Sequence, residues 1–332
     1  MSHRLLTVLV AVLAVGVLAP MVAGAQETPR TPWGAPDLQG VWDFRSLTPM
    51  ERPSDQAEVF TAEEAAEFSE ETIRQRSRDA DTSDRVVPYN DFWFDEGTSV
   101  TTERTSLIVD PPSGRIPALT SAAMERQAAA RRARAGVGGH EPTPGGFVED
   151  LGPGGLQVRC ILGFNSGPPM APSAYNNNVQ VLQTEDMVVL YAEMNHKARF
   201  VPLDGRPHLD ADIRQWTGDS RGYWDGDTLV IETRNFLRET NFQRGATSEH
   251  LTLTERLTRV SENILQYDVT VDDPTVWTTA WTFSVPMQLN DQPVYEYACH
   301  EGNYSLANTL SGARVLERKW IAKHGSPEAG EE

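Results

Sequence analysis

The sequence has 332 residues and a formal net charge of −18 at pH 7, from 47 acidic and 29 basic residues. Because nucleic acids and anionic membranes are bound through basic faces, this charge argues against both as partners. The length suits one large domain or two small ones. The sequence contains no GxGxxG, P-loop or protein-kinase motif, so we predict a protein that works without a nucleotide or other cofactor.

The first 25 residues have the pattern of a secretory signal peptide. Arg4 supplies a positive charge, residues 5–19 are apolar, and Ala23, Gly24 and Ala25 provide the small residues of a cleavage site. The alternative is a membrane anchor, but the apolar run is short for a span of about 20 residues. We therefore predict a periplasmic or secreted protein with no membrane span after signal removal.

The two cysteines, Cys160 and Cys299, lie 139 residues apart. In an oxidising compartment they favour a long-range disulfide over two buried thiols. A nucleophilic cysteine is disfavoured, because Cys299 and its neighbour His300 would point to opposite faces of a strand.

Residues 26–155 predict an irregular segment with two helices. The first covers residues 60–78, with a capping box formed by Thr61 and Glu64, and the second covers residues 121–134. Short strands are predicted at Gly40 and over residues 105–109, and residues 136–155 are rich in glycine. We expect this segment to wrap the following domain, with a separate lobe as the alternative.

From residue 156 to residue 320 the pattern changes to short alternating strands separated by turns. Consecutive strands without intervening helices indicate a mainly β fold, with an antiparallel sheet closed into a β-barrel or packed as a sandwich. Residues 321–332 are predicted to be a disordered tail. The predicted strands cover residues 179–182, 187–194, 198–201, 228–233, 251–260, 264–271, 278–285 and 295–298.

The sequence resembles two groups of proteins. The run GDSRGYWDGDTLVIETRNF, with the strands after it and the Gly-x-Trp at residues 40–42, is similar to calycin-like β-barrels, the group that contains the lipocalins. The chain as a whole resembles an uncharacterised family of secreted bacterial proteins, which implies no reaction and no residue role. The blocks that carry this second resemblance are TPWGAPDLQGVW, RTSLIVDPPSGRIPALT, RCILGFNSGPP, YNNNVQVLQT, PLDGRPHLDADIRQWTGDSRGYWDGDTLVIETRNF and YEYACHEGNY.

The stretch from residue 193 to residue 233 is the strongest candidate for a ligand or catalytic site, because it mixes His, Arg and Asp with aromatic residues. His196 and His208 are candidate proton carriers, since a histidine exchanges a proton near neutral pH. Arg199 and Arg206 are candidate partners for an anion or a developing oxyanion. The alternative is a set of structural salt bridges, such as Arg206 with Asp204.

Further candidates lie in the second half of the same stretch. Asp219 either orients a histidine or pairs with Arg221, and Ser220 lacks the Gly-x-Ser-x-Gly elbow of a hydrolase nucleophile. The remaining candidate ligand-binding residues are Arg214, Trp216, Tyr223 and Trp224.

Two candidates lie outside that stretch. His300 and Glu301 are a candidate base and its orienting group, and Asn177 sits in a run of three asparagines that favours a turn but also offers amides to a ligand. No local zinc-binding spacing is present, so a metal site would need distant residues such as His196, His208 and His300. A haem-binding barrel with a single axial histidine is an alternative that rests on fold analogy alone, because no sequence motif supports it.

These residues leave three hypotheses open. The first is a barrel that acts on a small, partly apolar molecule by cofactor-free acid–base chemistry of the isomerase, lyase, cyclase or hydrolase type. The second is a carrier or sensor that binds such a molecule without reaction, and the third is a structural envelope protein. Catalysis predicts a histidine and a charged partner within hydrogen-bonding distance. The sequence does not predict the oligomeric state.

Overall fold

A computed structural model describes residues 28–79, 90–138, 143, 155–240 and 248–325. The predicted signal peptide, residues 1–25, lies outside these ranges, as does most of the glycine-rich stretch 136–155. Within them, no helix is long and apolar enough to span a bilayer.

The described residues form one antiparallel sheet of ten strands and four α-helices. Along the sheet the strand order is β5-β4-β3-β1-β10-β9-β8-β7-β6, and β2 pairs with β10 beside this path. The strands are β1 Gly40–Asp43, β2 Ile108–Asp110, β3 Asn178–Gln183, β4 Met187–Ala192, β5 Lys197–Pro202, β6 Asp219–Asp225, β7 Thr228–Arg234, β8 Thr252–Arg259, β9 Ile264–Asp272 and β10 Trp281–Asn290.

One face of the sheet carries the hydrophobic core. In β9, alternate residues from Leu265 to Val271 are fully buried, as the two-residue repeat of a strand requires. The large buried side chains Trp42, Trp281 and Phe283 face the same interior from β1 and β10. The mainly β, antiparallel fold predicted from the sequence is therefore confirmed.

The sheet curls until its two edge strands approach each other, but no hydrogen-bonded ladder joins them. Residues of β5 and β6 come within 8 Å between Cα atoms, yet the strand order ends at both. A Cβ atom added to Gly222 of β6 would lie 2.8 Å from Val201 and 2.7 Å from Leu203. Glycine thus permits the close approach, and a closed calycin-type barrel is not confirmed.

The two predicted helices are present as α1 Ala62–Arg76 and α2 Ser121–Ala133, followed by the short α3 Gly155–Val158. The capping box of α1 is confirmed, because Glu64 N donates to Thr61 Oγ1 (3.2 Å) and Thr61 N donates to Glu64 Oε2 (2.7 Å). The N-terminal segment also contributes β1 and β2 to the sheet, with β1 paired between β3 and β10.

Three elements differ from the prediction. Residues 295–298 do not form a strand, and the chain after β10 instead leads to α4 Tyr304–His324. Strand β6 was not predicted, because Gly222 interrupts its pattern with a residue that disfavours strands. Helix α4 was not predicted, and residues 321–324 of the predicted tail are its last turn.

The close approach at Gly222 makes a specific prediction. The Gly222→Ala variant should lower the free energy of unfolding by about 1–3 kcal/mol, since its methyl group overlaps the buried Val201 and the partly buried Leu203. Urea denaturation measures the change. Gly312→Ala in α4 is the matched control, because nothing lies within 4 Å of its added Cβ atom, and it should not destabilise the protein. Equal stability of both variants would contradict the packing described.

Candidate functional site

The most distinctive polar arrangement lies where the chain enters β6. Residues 203–218 connect β5 to β6, and His208 in this connection places Nδ1 2.8 Å from Oδ2 of Asp219, the first residue of β6. The side chains of His208 and Asp219 are 16% and 5% exposed. The structure thus brings together two residues that the sequence marked as candidate catalytic groups.

Both oxygens of the Asp219 carboxylate are held in place. Arg221 Nη1 donates to Oδ1 at 2.6 Å, and the backbone N–H of Leu209 donates to Oδ2 at 3.0 Å. Arg221, a third predicted catalytic residue, therefore belongs to the same cluster. Because its partners come from the strand and from the loop, the carboxylate has one fixed orientation towards His208.

The second ring nitrogen of His208 has a different environment. Nε2 is buried, and among the described residues it has no hydrogen-bond partner. A carboxylate only accepts hydrogen bonds, so in the neutral imidazole Nδ1 carries the proton and Nε2 carries the lone pair. The cluster therefore holds a buried imidazole nitrogen with a free lone pair in a fixed orientation.

The loop around His208 is tied to the sheet by hydrogen bonds to its backbone. Arg221 Nε donates to Pro207 O at 2.9 Å, and Asn235 Nδ2 donates to Leu209 O at 2.9 Å. Gly218 ends the loop with φ +67°, and a Cβ atom there would lie 2.7 Å from Thr233. Only glycine combines this left-handed backbone with such a close approach to β7.

The His208 cluster lies on the outward face of the sheet, under its own loop. Ser220 Oγ is 2.9 Å from Thr233 Oγ1 and both side chains are buried towards the interior. Successive strand residues point to opposite faces, so Asp219 and Arg221 point away from that interior. Ser220 is consequently separated from His208 and does not form a serine–histidine pair with it.

A second polar cluster is buried inside the curled sheet. Arg199 of β5 forms a bidentate ion pair with Glu255 of β8, and its Nη2 donates to Glu255 Oε1 at 2.8 Å. Tyr267 of β9 donates its hydroxyl to the same oxygen at 2.5 Å. The Tyr267 oxygen also accepts from Met170 N at 3.2 Å. Arg199 is 8% exposed, and Glu255 and Tyr267 are fully buried.

The environment of this interior cluster shifts two pKa values. Burial raises the pKa of Tyr267 well above its usual value of 10, and the charge of Glu255 raises it further. For Arg199, burial alone lowers the pKa, but the charge and hydrogen bonds of Glu255 outweigh it, and the net shift is upward. Tyr267 therefore stays a neutral donor and Arg199 stays a cation.

The other candidate histidines are not part of either cluster. His196 is exposed and its Nδ1 lies 2.9 Å from the carbonyl oxygen of Tyr297, and His300 and Glu301 are also exposed. The long-range set of His196, His208 and His300 does not assemble, and no group of three His, Cys, Asp or Glu side chains within the described ranges could hold a metal ion.

Several predicted ligand-binding residues have structural contacts instead. Asn177 is 1% exposed and its amide bonds to the backbone of Ser173, which is the turn role that its sequence favours. Arg206 pairs with Asp204 on the surface, and Arg214 donates to the carbonyl oxygen of Glu249 at 2.8 Å.

The three aromatic candidates do not share one environment. Trp224 packs against the hydrophobic core, Tyr223 is 49% exposed, and Trp216 is half-buried with its backbone carbonyl accepting from Thr240 Oγ1. Within the described residues they form no common aromatic surface beside His208.

The predicted disulfide between Cys160 and Cys299 is confirmed, with an S–S distance of 1.99 Å. It joins the segment after α3 to the segment before α4. A disulfide fits a compartment outside the reducing cytosol.

Glu255 and Tyr267 were not among the predicted site residues, although the sequence of β8 contains a signal for Glu255. Along β8, Leu253, Glu255 and Leu257 occupy alternate positions of the face that is fully buried. A carboxylate in the middle of an apolar alternation needs a buried partner. The partner, Arg199, is 56 residues away in the chain. Only the curl of the folded sheet brings it to Glu255.

The interior ion pair makes a prediction about stability. The Arg199→Met variant should lower the free energy of unfolding by about 3–5 kcal/mol, because it leaves the buried Glu255 without its counter-charge. The double variant Arg199→Met/Glu255→Met should recover most of this loss, since neither charge is then buried. Urea denaturation of both variants tests this, and a double variant less stable than the single one would contradict it.

Comparisons of the chain with protein-family models, with curated proteins and with solved structures found no match. No role can therefore be transferred to His208 or to Arg199 from a relative.

Proposed function

We propose that this chain is a periplasmic or secreted enzyme that performs cofactor-free acid–base chemistry on a small, partly apolar molecule. One observation carries the proposal: Asp219 binds Nδ1 of His208 at 2.8 Å, while Nε2 is buried and has no partner in the described part of the chain. This is the geometry of a general base whose orientation is set by a carboxylate. His208 Nε2 removes the proton from the substrate and Asp219 positions the ring.

The proposal assigns separate roles to the neighbouring groups. Arg221 and the backbone N–H of Leu209 fix the Asp219 carboxylate, so they position the base without touching substrate. The reaction class is proton abstraction, as in an isomerase, lyase, cyclase or hydrolase. The proposed frame is a calycin-like β-barrel. The substrate is held at the rim that the loop before β6 forms.

A non-catalytic carrier that binds its ligand inside the sheet is the second reading. The observation that favours it is a cationic side chain, Arg199, surrounded by apolar residues of the interior. The carrier reading is disfavoured because both Nη atoms of Arg199 already donate to Glu255. The acid–base proposal therefore ranks first, because Nε2 of His208 has no partner among the described residues, whereas both Nη atoms of Arg199 are taken up by Glu255.

The proposal predicts a base-catalysed reaction that depends on His208. The probe is a nitro-substituted benzisoxazole, in which removal of the ring C–H proton by a base breaks the N–O bond and gives a coloured cyanophenolate. The wild-type protein should open this ring faster than the His208→Gln variant by about 10²-fold, the usual contribution of a positioned base. Absorbance of the product measures the rate.

Two matched controls separate the site from nonspecific histidine catalysis. His196→Gln and His300→Gln remove exposed imidazoles and should keep the wild-type rate. Thermal melting of all three variants checks that each is folded. Equal rates for the wild-type protein and His208→Gln would contradict the proposal, as would a loss of rate in the two controls.

A further inference from the structure

Glu193, in the tight connection between β4 and β5, is a buried carboxylate that forms no ion pair with another described residue. It is 5% exposed, and its two oxygens accept from Asn176 Nδ2 at 2.6 Å and from Asn178 Nδ2 at 2.8 Å. Among the described residues, no Arg, Lys or His side chain lies within 4.0 Å of it. Both of its partners are neutral amides.

Such a carboxylate is costly to bury. Hydrogen bonds from neutral amides replace part of its hydration, but a buried charge normally has a counter-charge. An ionised carboxylate offers about four acceptor positions, and the two amides occupy two. Glu193 therefore retains the capacity to accept a cation.

Asn195, two residues further along, supplies an independent observation. It is 5% exposed, and its Oδ1 and Nδ2 are both buried with no hydrogen-bond partner among the described residues. Its φ of 57° and the hydrogen bond from His196 N to Glu193 O (3.0 Å) place it in a tight turn that begins at Glu193. Buried polar groups are almost always paired, so an amide left unpaired on both atoms points to a ligand.

A third oxygen is connected to the same group. Asn165 is 1% exposed, and its Oδ1 is also buried without a partner in the described part of the chain. Its Nδ2 donates to the backbone oxygen of Asn176 at 3.3 Å, and Asn176 is the residue that bonds to Glu193. Asn165 is thus linked to Glu193 through Asn176, and Asn195 is linked to it through the turn.

We propose that Glu193, Asn195 and Asn165 bind a hard cation of the calcium class. The Glu193 carboxylate supplies the negative charge, and the two amide oxygens supply neutral ligands. One carboxylate combined with amide oxygens is a donor set that suits Ca²⁺, whereas Zn²⁺ takes nitrogen and sulfur ligands. The site is separate from His208 and does not depend on the proposed acid–base function.

The test is thermal melting of the full chain, with its disulfide intact, in CaCl₂ and in NaCl of matched ionic strength. A site with a single carboxylate should bind in the range of about 10⁻⁴–10⁻³ M that extracellular calcium modules show. About 10 mM Ca²⁺ should then raise the melting temperature of the wild-type protein by roughly 2–4 °C relative to NaCl.

The Asn195→Gly variant is the matched comparison. Glycine tolerates the positive φ at this position and removes only the unpaired amide, so the variant should fold and should lose the Ca²⁺ response. Asn195→Asp adds a second carboxylate and should show a larger Ca²⁺ response than the wild-type protein. A wild-type melting temperature that is the same in CaCl₂ and NaCl overturns the proposal, and so does an undiminished response in Asn195→Gly.

Discussion

The ion pair between Arg199 and Glu255 is the interaction on which the shape of this protein depends. It joins the edge strand β5 to β8 across the interior, at the place where β5 and β6 approach without a ladder. A buried ion pair overcomes its desolvation cost only when its remaining hydrogen-bonding positions are filled. Tyr267 fills one of them, so the curl of the sheet is stabilised by side chains as well as by backbone pairing.

The curl of the sheet also determines where the proposed His208 site lies. Strand β6 presents Ser220 and Gly222 to the interior and Asp219 and Arg221 to the outside. The inner face meets β5, and the outer face receives the loop that carries His208. Because β6 is an edge strand, that loop packs on it without displacing another strand. Any change that opens the curl would move Asp219 and His208 together with β6.

Much of the fold is predictable from local patterns, and part of the site is too. Alternating apolar residues identified most of β3 to β10, and a capping box identified α1, because these signals lie within a few neighbouring residues. His208, Asp219 and Arg221 were identified by residue type, but their contact requires a turn that brings residues 11 positions apart together. Glu255 was missed because its partner comes from a distant strand. The exposed His196 and His300 show that residue type alone does not identify a site.

The proposed role of His208 depends most directly on which nitrogen of its neutral ring carries the proton. Long-range ¹H–¹⁵N NMR correlation of the imidazole nitrogens distinguishes a ring protonated on Nδ1 from one protonated on Nε2. The geometry around Asp219 predicts that neutral His208 carries its proton on Nδ1 and that Asp219→Ala abolishes this preference. A wild-type ring that is protonated on Nε2 would contradict the central claim that Asp219 orients His208 as a base. So would a His208 ring with no stronger preference for one tautomer than the exposed His300.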